Sequence, residues 1–265
     1  MLLAEGLLHK MRVELKDEVN YSLNLSNQLL MNDLIGKNIS LKWTGKIVCS
    51  NCEKSIKKTF SDGLCYNCFI SSPQGSDCIL RPELCRAHLG EGRDVAWEEA
   101  HHNQPHVVYL AASDIVKVGV TRVTQIPTRW IDQGASAAII IAETPNRYEA
   151  GRLEVELKSF FSDKTNWQRM LKNEVDESID LLEEKWTLHD QLPSDLREYF
   201  SENDEVIEIN FPALEFPMKV LSMSFDKTLE ISGKLMGIKG QYLIFEEGKV
   251  INMRKHTGYF VEISE

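Results

Sequence analysis

The stretch HVVYLAASDIVKVGVT, residues 106–121, decides the fold class of the middle of the chain. Its first part, HVVYLAA (106–112), is an apolar run that predicts a buried strand. Its last part, IVKVGVT (115–121), is rich in β-branched residues, which favour strands. Ser113 and Asp114 between them are typical of a turn. We therefore expect two successive strands joined by a tight connection.

The residues that follow add a third strand and two helices. Pro127 suits the first turn of a helix and Gly134 suits its end. AAIIIAE (137–143) predicts another buried strand. Asn146 and Glu149, three residues apart, form the capping-box pattern that starts a helix. The apolar face of that helix would hold Ala150, Leu153, Leu157, Phe160 and Phe161. The sequence thus predicts an α+β fold with a central three-stranded sheet and helices.

Two cysteine pairs precede this region. Twelve residues separate the first pair from the second. The pairs are Cys49 with Cys52 and Cys65 with Cys68. A CxxC pair places two sulfurs on one tight knuckle, and two knuckles complete the tetrahedron that zinc accepts. Because all six cysteines lie in the first third of the chain, metal is favoured over a disulfide framework. We predict a structural zinc site, since four protein ligands leave no position for a substrate.

A second zinc site is one of two interpretations of the next residues. Cys78, Cys85 and His88 could join His101 or His102, and we include His102 in the predicted set. Alternatively, these thiols and imidazoles pack against the first zinc module without a metal. Their spacing is irregular, so both interpretations stay open.

The remaining chain is predicted to form flanking segments. YSLNLS (21–26) and ISLKW (39–43) alternate polar and apolar residues, as strands do. Near the other end, TLEISGKLMGI and QYLIF indicate further strands of a small antiparallel β domain, formed by the N-terminal strands, the C-terminal strands or both. The predicted parts are an N-terminal β segment (1–45), a Cys/His zinc-binding region (46–105), the central α/β domain (106–166), an acidic helical segment (167–210) and the C-terminal β domain (211–265).

Charge is distributed unevenly along the chain. The net charge is −10, but residues 166–210 contain thirteen acidic side chains against four basic ones. The region around the paired cysteines is basic, with Lys42, Lys46, Lys54, Lys57 and Lys58. Since local charge determines what binds locally, the overall charge does not exclude a nucleic-acid partner.

The sequence gives no sign of a membrane or secretory segment. No run of 18 or more apolar residues is present, and the first ten residues lack both a basic region and a cleavage site. We therefore expect a cytoplasmic protein without a membrane partner.

The order of motifs in the middle of the chain resembles the GIY-YIG nuclease superfamily over about 60 residues. Val108-Tyr109 stands at that family's first motif, and Lys117-Val118-Gly119 stands at the second, with lysine in place of its tyrosine. Arg129, Glu154 and Asn166 match the helical arginine, the metal-ligating glutamate and the trailing asparagine. The whole chain also resembles an uncharacterised bacterial family, a domain of unknown function.

The resemblance implies metal-dependent cleavage of phosphodiester bonds. Glu154 would hold Mg²⁺ or Mn²⁺, which prefer carboxylate and water ligands, and Arg129 would contact the phosphate. Tyr109 or Lys117 would position or deprotonate water, and Gly119 would let the substrate approach the backbone. Each residue also has a structural interpretation: a strand tyrosine, solvated surface charges, and a glycine that relieves crowding between strands.

Two functions from different classes follow. The first is a metal-dependent endonuclease that acts on DNA or RNA. The second is a non-catalytic adaptor in which the zinc knuckles and the C-terminal β domain grip nucleic acid or a protein partner. Basic and aromatic residues of that domain are candidates for stacking on bases, namely Lys239, Tyr242, Arg254, Lys255, His256 and Tyr259.

Overall fold

The computed structural model describes residues 1–161, 166–176 and 178–265. The chain forms two compact units. Unit 1 comprises Met1–Ile70, Ile131–Gly134 and Asn210–Glu265, and unit 2 comprises Ser71–Trp130 and Ala135–Ile209. The strands are β1 (Leu2–Leu7), β2 (Arg12–Leu15), β3 (Val19–Asn24), β4 (Gln28–Leu30), β5 (Asn38–Val48), β6 (Ser55–Ile56), β7 (His106–Ala112), β8 (Val116–Arg122), β9 (Ala137–Thr144), β10 (Ile207–Glu208), β11 (Leu221–Ser222), β12 (Glu230–Lys239), β13 (Tyr242–Phe245), β14 (Lys249–Asn252) and β15 (Tyr259–Ser264). The helices are α1 (Tyr66–Ser71), α2 (Val95–His102), α3 (Thr128–Asp132), α4 (Arg147–Lys158), α5 (Trp167–Leu171) and α6 (Leu181–His189).

Unit 1 is built on a sheet that joins both ends of the chain. Its strands follow the order β1-β15-β5-β12-β13-β14-β11, and β6 pairs with β5. Strand β5 lies between β15 and β12 and is antiparallel to both. The N-terminal and C-terminal strands therefore form one sheet. A smaller sheet in the same unit has the order β2-β3-β4.

The period-2 pattern of the sequence explains how this sheet buries one face. Along β15, burial alternates from residue to residue, with Val261 and Ile263 fully buried. Between β13 and β14 the chain turns at Glu247 and Gly248, which both have positive φ. These residues form the short connection between the two strands.

Unit 2 contains the predicted central strands. The order of its sheet is β10-β9-β7-β8, with antiparallel pairing throughout. The three predicted strands are confirmed, and the short β10 extends the sheet by one more. Helix α4 packs its apolar side, with Leu153 and Leu157, against Val108 and Leu110 of β7. Mixed α+β architecture is thus present in the described chain.

The cap of α4 follows the predicted pattern. The Asn146 side chain accepts a hydrogen bond from the backbone N–H of Glu149 at 3.0 Å. The acidic segment is helical only in part, because α5 and α6 are short and turns separate them. Lys185 of α6 is fully buried and donates hydrogen bonds to Asn203 and Asp204.

Candidate metal centres

The four predicted zinc ligands converge in unit 1. The sulfur atoms of Cys49, Cys52, Cys65 and Cys68 all lie within 4.8 Å of one another. The Cys52 and Cys65 sulfurs are 3.8 Å apart. Two thiolates at the Zn–S distance of about 2.3 Å in a tetrahedral site are separated by about 3.8 Å. The observed spacing and the all-sulfur donor set therefore fit a metal ion such as zinc.

Local backbone structure brings the two knuckles together. The Cys49 amide donates to the Lys54 carbonyl, and the Ser50 amide donates to the Gly63 carbonyl of the second knuckle. Glu53 has φ of 58° and Gly63 has φ of 84°, so the chain turns sharply after one pair and before the other. These short-range contacts explain why the spacing in the sequence suffices to form the site.

The surroundings favour the ionised form of one ligand. Burial alone raises the pKa of the Cys49 thiol, but backbone amides of Cys52, Cys65 and Asn51 donate to the sulfur and lower its pKa to about 6. The Asn51 side chain also donates to the Cys68 sulfur at 3.4 Å. Thiolate is the form that binds metal, so these donors support the metal-binding state.

A second cluster lies in unit 2. The ligand atoms of Cys78, Cys85 and His102 lie within 4.8 Å of one another, and all three residues are buried. The fourth predicted ligand, His88, is not part of this group, and its ring stacks on Tyr148 with centroids 4.5 Å apart. The ring of His101, the alternative to His102, stacks on Trp97 at 4.0 Å. Of the predicted set, the structure thus brings three residues together.

The predicted catalytic tyrosine packs inside unit 2. Tyr109 is 1% exposed, and its ring meets Trp130 with centroids 5.8 Å apart. A Cβ atom on Gly119 would lie 2.6 Å from Cζ and Oη of Tyr109. Gly119 therefore makes room for the tyrosine ring, which agrees with the structural interpretation of this glycine. Because side chains alternate along a strand and Val108 and Leu110 contact α4, Tyr109 lies on the other face of the sheet.

Glu154 and Arg129 share an electrostatic environment. Glu154 on α4 is 8% exposed, and its Oε2 lies 3.3 Å from Lys158 Nζ. Burial raises the pKa of Glu154, and the Lys158 charge opposes that shift. Both Glu154 and Arg129 are close enough to shift the pKa of Arg147. Among the described residues, however, Glu154 belongs to no group of three or more metal-ligating side chains.

The other two predicted catalytic residues have ordinary partners. Lys117 Nζ lies 3.9 Å from Asp114 Oδ1. Asn166 is exposed and caps α5, where its side chain accepts hydrogen bonds from the amides of Gln168 and Arg169. The proposed roles of both residues in catalysis stay predictions.

Three of the six C-terminal residues proposed to stack on bases are buried. Lys239 is fully buried, and its Nζ lies 5.1 Å from the centre of the Phe211 ring. His256 and Tyr259 are 1% and 3% exposed. These three side chains are therefore not available for stacking, whereas Lys255 is exposed and Tyr242 and Arg254 are half-buried.

Sequence reasoning missed three polar residues around the second cluster. Glu98, one helical turn before His102, lies with its Oε2 3.7 Å from His102 Nδ1. Arg147 donates three hydrogen bonds to the Cys78 and Ile79 carbonyls. His106 is fully buried and has no hydrogen-bond partner at Nε2 among the described residues. Of these contacts, only the one between Glu98 and His102 could have been predicted from the sequence, because residues four apart on a helix lie on one face.

Comparisons with known proteins place the chain in a family. Residues 36–261 match the family described as "Protein of unknown function (DUF2797)". No curated protein and no solved structure matches the chain significantly. In the described part of the chain, every helix is too short or too polar to cross a membrane. Since the match covers most of its length, this chain belongs to the DUF2797 family of proteins of unknown function.

Proposed function

We propose that this protein is a zinc-containing nucleic-acid-binding protein whose contact surface is the basic ribbon, residues 42–70. The observation that carries the proposal is the combination of exposed lysines and accessible aromatic rings around the four-cysteine cluster. Nucleic-acid affinity depends chiefly on cations that neutralise phosphates, and single strands add stacking on aromatic rings. The basic ribbon supplies both kinds of group.

The lysines of the basic ribbon face solvent. Lys42, Lys46, Lys54, Lys57 and Lys58 are all exposed. Within the ribbon they face one glutamate and one aspartate, in a chain with a net charge of −10. The aspartate, Asp62, forms a two-point ion pair with Arg254 at 2.8 and 2.9 Å. Arg254 thus offsets the charge of Asp62. Outside the ribbon, Glu262 Oε2 lies 4.0 Å from Lys42 Nζ, so Lys46, Lys54, Lys57 and Lys58 supply the positive charge of this surface.

The aromatic rings form a platform beside these lysines. Phe60 packs against Tyr66 with centroids 5.3 Å apart and is stacked with Phe69 at 5.8 Å. Tyr66 is 56% exposed, and Lys58 Nζ lies 5.8 Å from the centre of the Phe60 ring. An exposed ring next to cations can stack on a base while the cations hold its phosphate, and this arrangement tolerates different sequences.

Fluorescence anisotropy with labelled single-stranded RNA, single-stranded DNA and duplex DNA tests the proposal. We expect Tyr66→Ala to weaken single-strand binding about tenfold, because stacking contributes about 1–3 kcal/mol per base. Lys58→Gln should remove one phosphate contact and so reduce the slope of log K against log salt concentration by about 1. Lys16→Gln is the control, since Lys16 is an exposed lysine outside the ribbon. Binding that neither ribbon variant weakens, or no binding at low salt, would exclude this surface and favour a protein partner.

Catalysis by unit 2 is a second candidate, supported by the buried Glu154 carboxylate near Arg147 and by the proximity of Arg129 to that arginine. The same substrates, incubated with Mg²⁺ or Mn²⁺, test it. Cleavage that disappears in both Glu154→Ala and Arg129→Ala would support the nuclease implied by the GIY-YIG resemblance. Binding without cleavage by the wild-type protein would support the non-catalytic adaptor.

A further inference from the structure

The cysteines of unit 2 converge with a histidine in a segment that has little apolar core. Cys78, Cys85 and Ala87 are the buried residues of the local cluster, and Tyr148 packs against it. The ligands come from separate short turns and from the end of α2. A segment with so few buried apolar groups needs another source of stability, and metal ligation is a common one.

We propose that Cys78, Cys85 and His102 bind a second zinc ion, with His102 coordinating through Nδ1. The Cys78 sulfur is 3.9 Å from His102 Nδ1. A sulfur and a nitrogen bound to one tetrahedral zinc are separated by about 3.6 Å, so the atoms need to move only a few tenths of an ångström. Two thiolates and an imidazole are donors that favour zinc over magnesium or calcium.

A carboxylate lies beside the nitrogen of His102 that would bind zinc. Glu98 Oε2 lies 3.7 Å from His102 Nδ1. The other carboxylate oxygen accepts a hydrogen bond from the Arg93 amide at 2.9 Å. A Cβ atom on Gly92 would lie 2.4 Å from Glu98 Cδ, so the glycine leaves room for the carboxylate. Because this carboxylate lies beside the nitrogen proposed to bind zinc, its negative charge would favour a cation at the cluster.

The backbone around Cys78 is fixed from α4. Arg147, whose Nε and Nη2 donate to the Cys78 carbonyl at 3.0 and 2.9 Å, also donates to Ile79. Its positive charge lies near both thiols. This contact would position the Cys78 turn before metal enters and would offset part of the negative charge of two thiolates.

The number of zinc ions per purified chain tests the proposal. The full-length protein would be reduced, dialysed against a small excess of zinc, passed through a desalting column and analysed by elemental mass spectrometry. We expect two zinc ions in the wild-type chain, one in His102→Ala and one in a Cys49→Ser/Cys52→Ser variant. His101→Ala is the matched control and should keep two, because the adjacent His101 is not a member of the cluster.

Cobalt substitution separates ligation from structural packing. In His102→Cys a third thiolate replaces the imidazole, so the variant should keep two metal ions and show a stronger sulfur-to-cobalt charge-transfer band than the wild type. Glu98→Gln should weaken zinc binding at this site about tenfold in a chelator competition, because it removes a negative charge beside the bound cation. One zinc ion per wild-type chain, or a disulfide between Cys78 and Cys85 in the freshly isolated protein, would overturn the proposal.

Discussion

The two cysteine clusters differ in how far apart their members lie in the chain and in what holds them together. The cluster of unit 1 consists of two CxxC knuckles. A backbone hydrogen bond from Ser50 to Gly63 joins the two knuckles, and one from Cys49 to Lys54 closes the first. The cluster of unit 2 joins Cys78 and Cys85 to His102, seventeen or more residues further on. Arg147 and Glu98 support it from α4 and α2.

This difference has a consequence for stability. A site made by local knuckles can form with little of the remaining fold in place, as small zinc modules do. A site assembled from distant segments depends on the packing that brings those segments together. We therefore expect damage to the first cluster to stay local and damage near the second to affect unit 2 as a whole. Two measurements test this contrast, and a third tests the protonation state of the buried His106 in unit 2.

The largest effect is expected for Cys52→Ser. Removing one of four thiolates should weaken zinc binding at the first cluster by about 4 kcal/mol or more, because structural zinc contributes about 10–16 kcal/mol through four ligands. Limited proteolysis should then cut the chain between residues 49 and 68, while fragments from unit 2 stay intact. The control is Cys78→Ser, which should leave this stretch resistant. Equal loss of protection in both units would contradict the contrast between a local and a dispersed site.

An intermediate effect is expected for Gly151→Ala on α4. In an open helix this change stabilises by about 0.5–1 kcal/mol. Here the new Cβ would lie 2.2 Å from the Glu83 amide nitrogen and 2.4 Å from the Pro82 carbonyl carbon. Since this backbone leads directly into Cys85, we expect a loss of about 2–3 kcal/mol in urea unfolding. Val155→Ala on an exposed side of α4 is the control. A stabilising Gly151→Ala would show that α4 does not fix the second cluster.

The smallest effect is a pH dependence at His106. Burial lowers the pKa of His106 to about 4, from its ordinary value of 6.5. Its Nδ1–H donates to the Gln104 carbonyl, and Nε2 is buried, so the folded state holds the neutral ring. The stability from this neutral state is complete above about pH 6.5 and is lost as pH falls towards 4, because the unfolded chain takes up the proton first.

Urea unfolding with excess zinc at pH 7.5 and 5.5 measures how much the neutral His106 contributes to the free energy of unfolding. Between these two pH values, the free energy of unfolding should fall by about 1.3 kcal/mol more in the wild type than in His106→Asn. His9→Asn is the control, because His9 is exposed. An equal pH dependence in the wild type and in His106→Asn would show that this histidine does not stay neutral in the folded protein.

Much of the central fold could be predicted from local patterns. The strands β7, β8 and β9 and the cap of α4 follow directly from apolar runs, β-branched residues and the Asn146–Glu149 pair. The pairing of β1 and β5 with β12 and β15 could not be predicted, because it joins residues about 200 positions apart. The residue pattern of a single strand does not identify the strand with which it pairs.

The individual site residues show the same limit. Tyr109 and Gly119 suggest chemistry by their positions in the sequence, yet in the fold the glycine accommodates the tyrosine ring beside Trp130. The interleaved basic and aromatic residues near the C-terminus suggest a binding surface, but Lys239, His256 and Tyr259 are buried. Residue type and order do not reveal which face of a strand meets solvent when both faces carry large side chains.

The sequence by itself determined the four-cysteine cluster of unit 1, because a CxxC knuckle forms from backbone geometry within a few residues and two of them complete a tetrahedron. Only the tertiary structure decided the membership of the second cluster. It brought Cys78, Cys85 and His102 together without the predicted His88 and without the alternative His101, and it placed Glu98 and Arg147 beside them. The physical reason is that distant ligands meet only where packed helices and turns bring them, and that packing is a property of the whole unit.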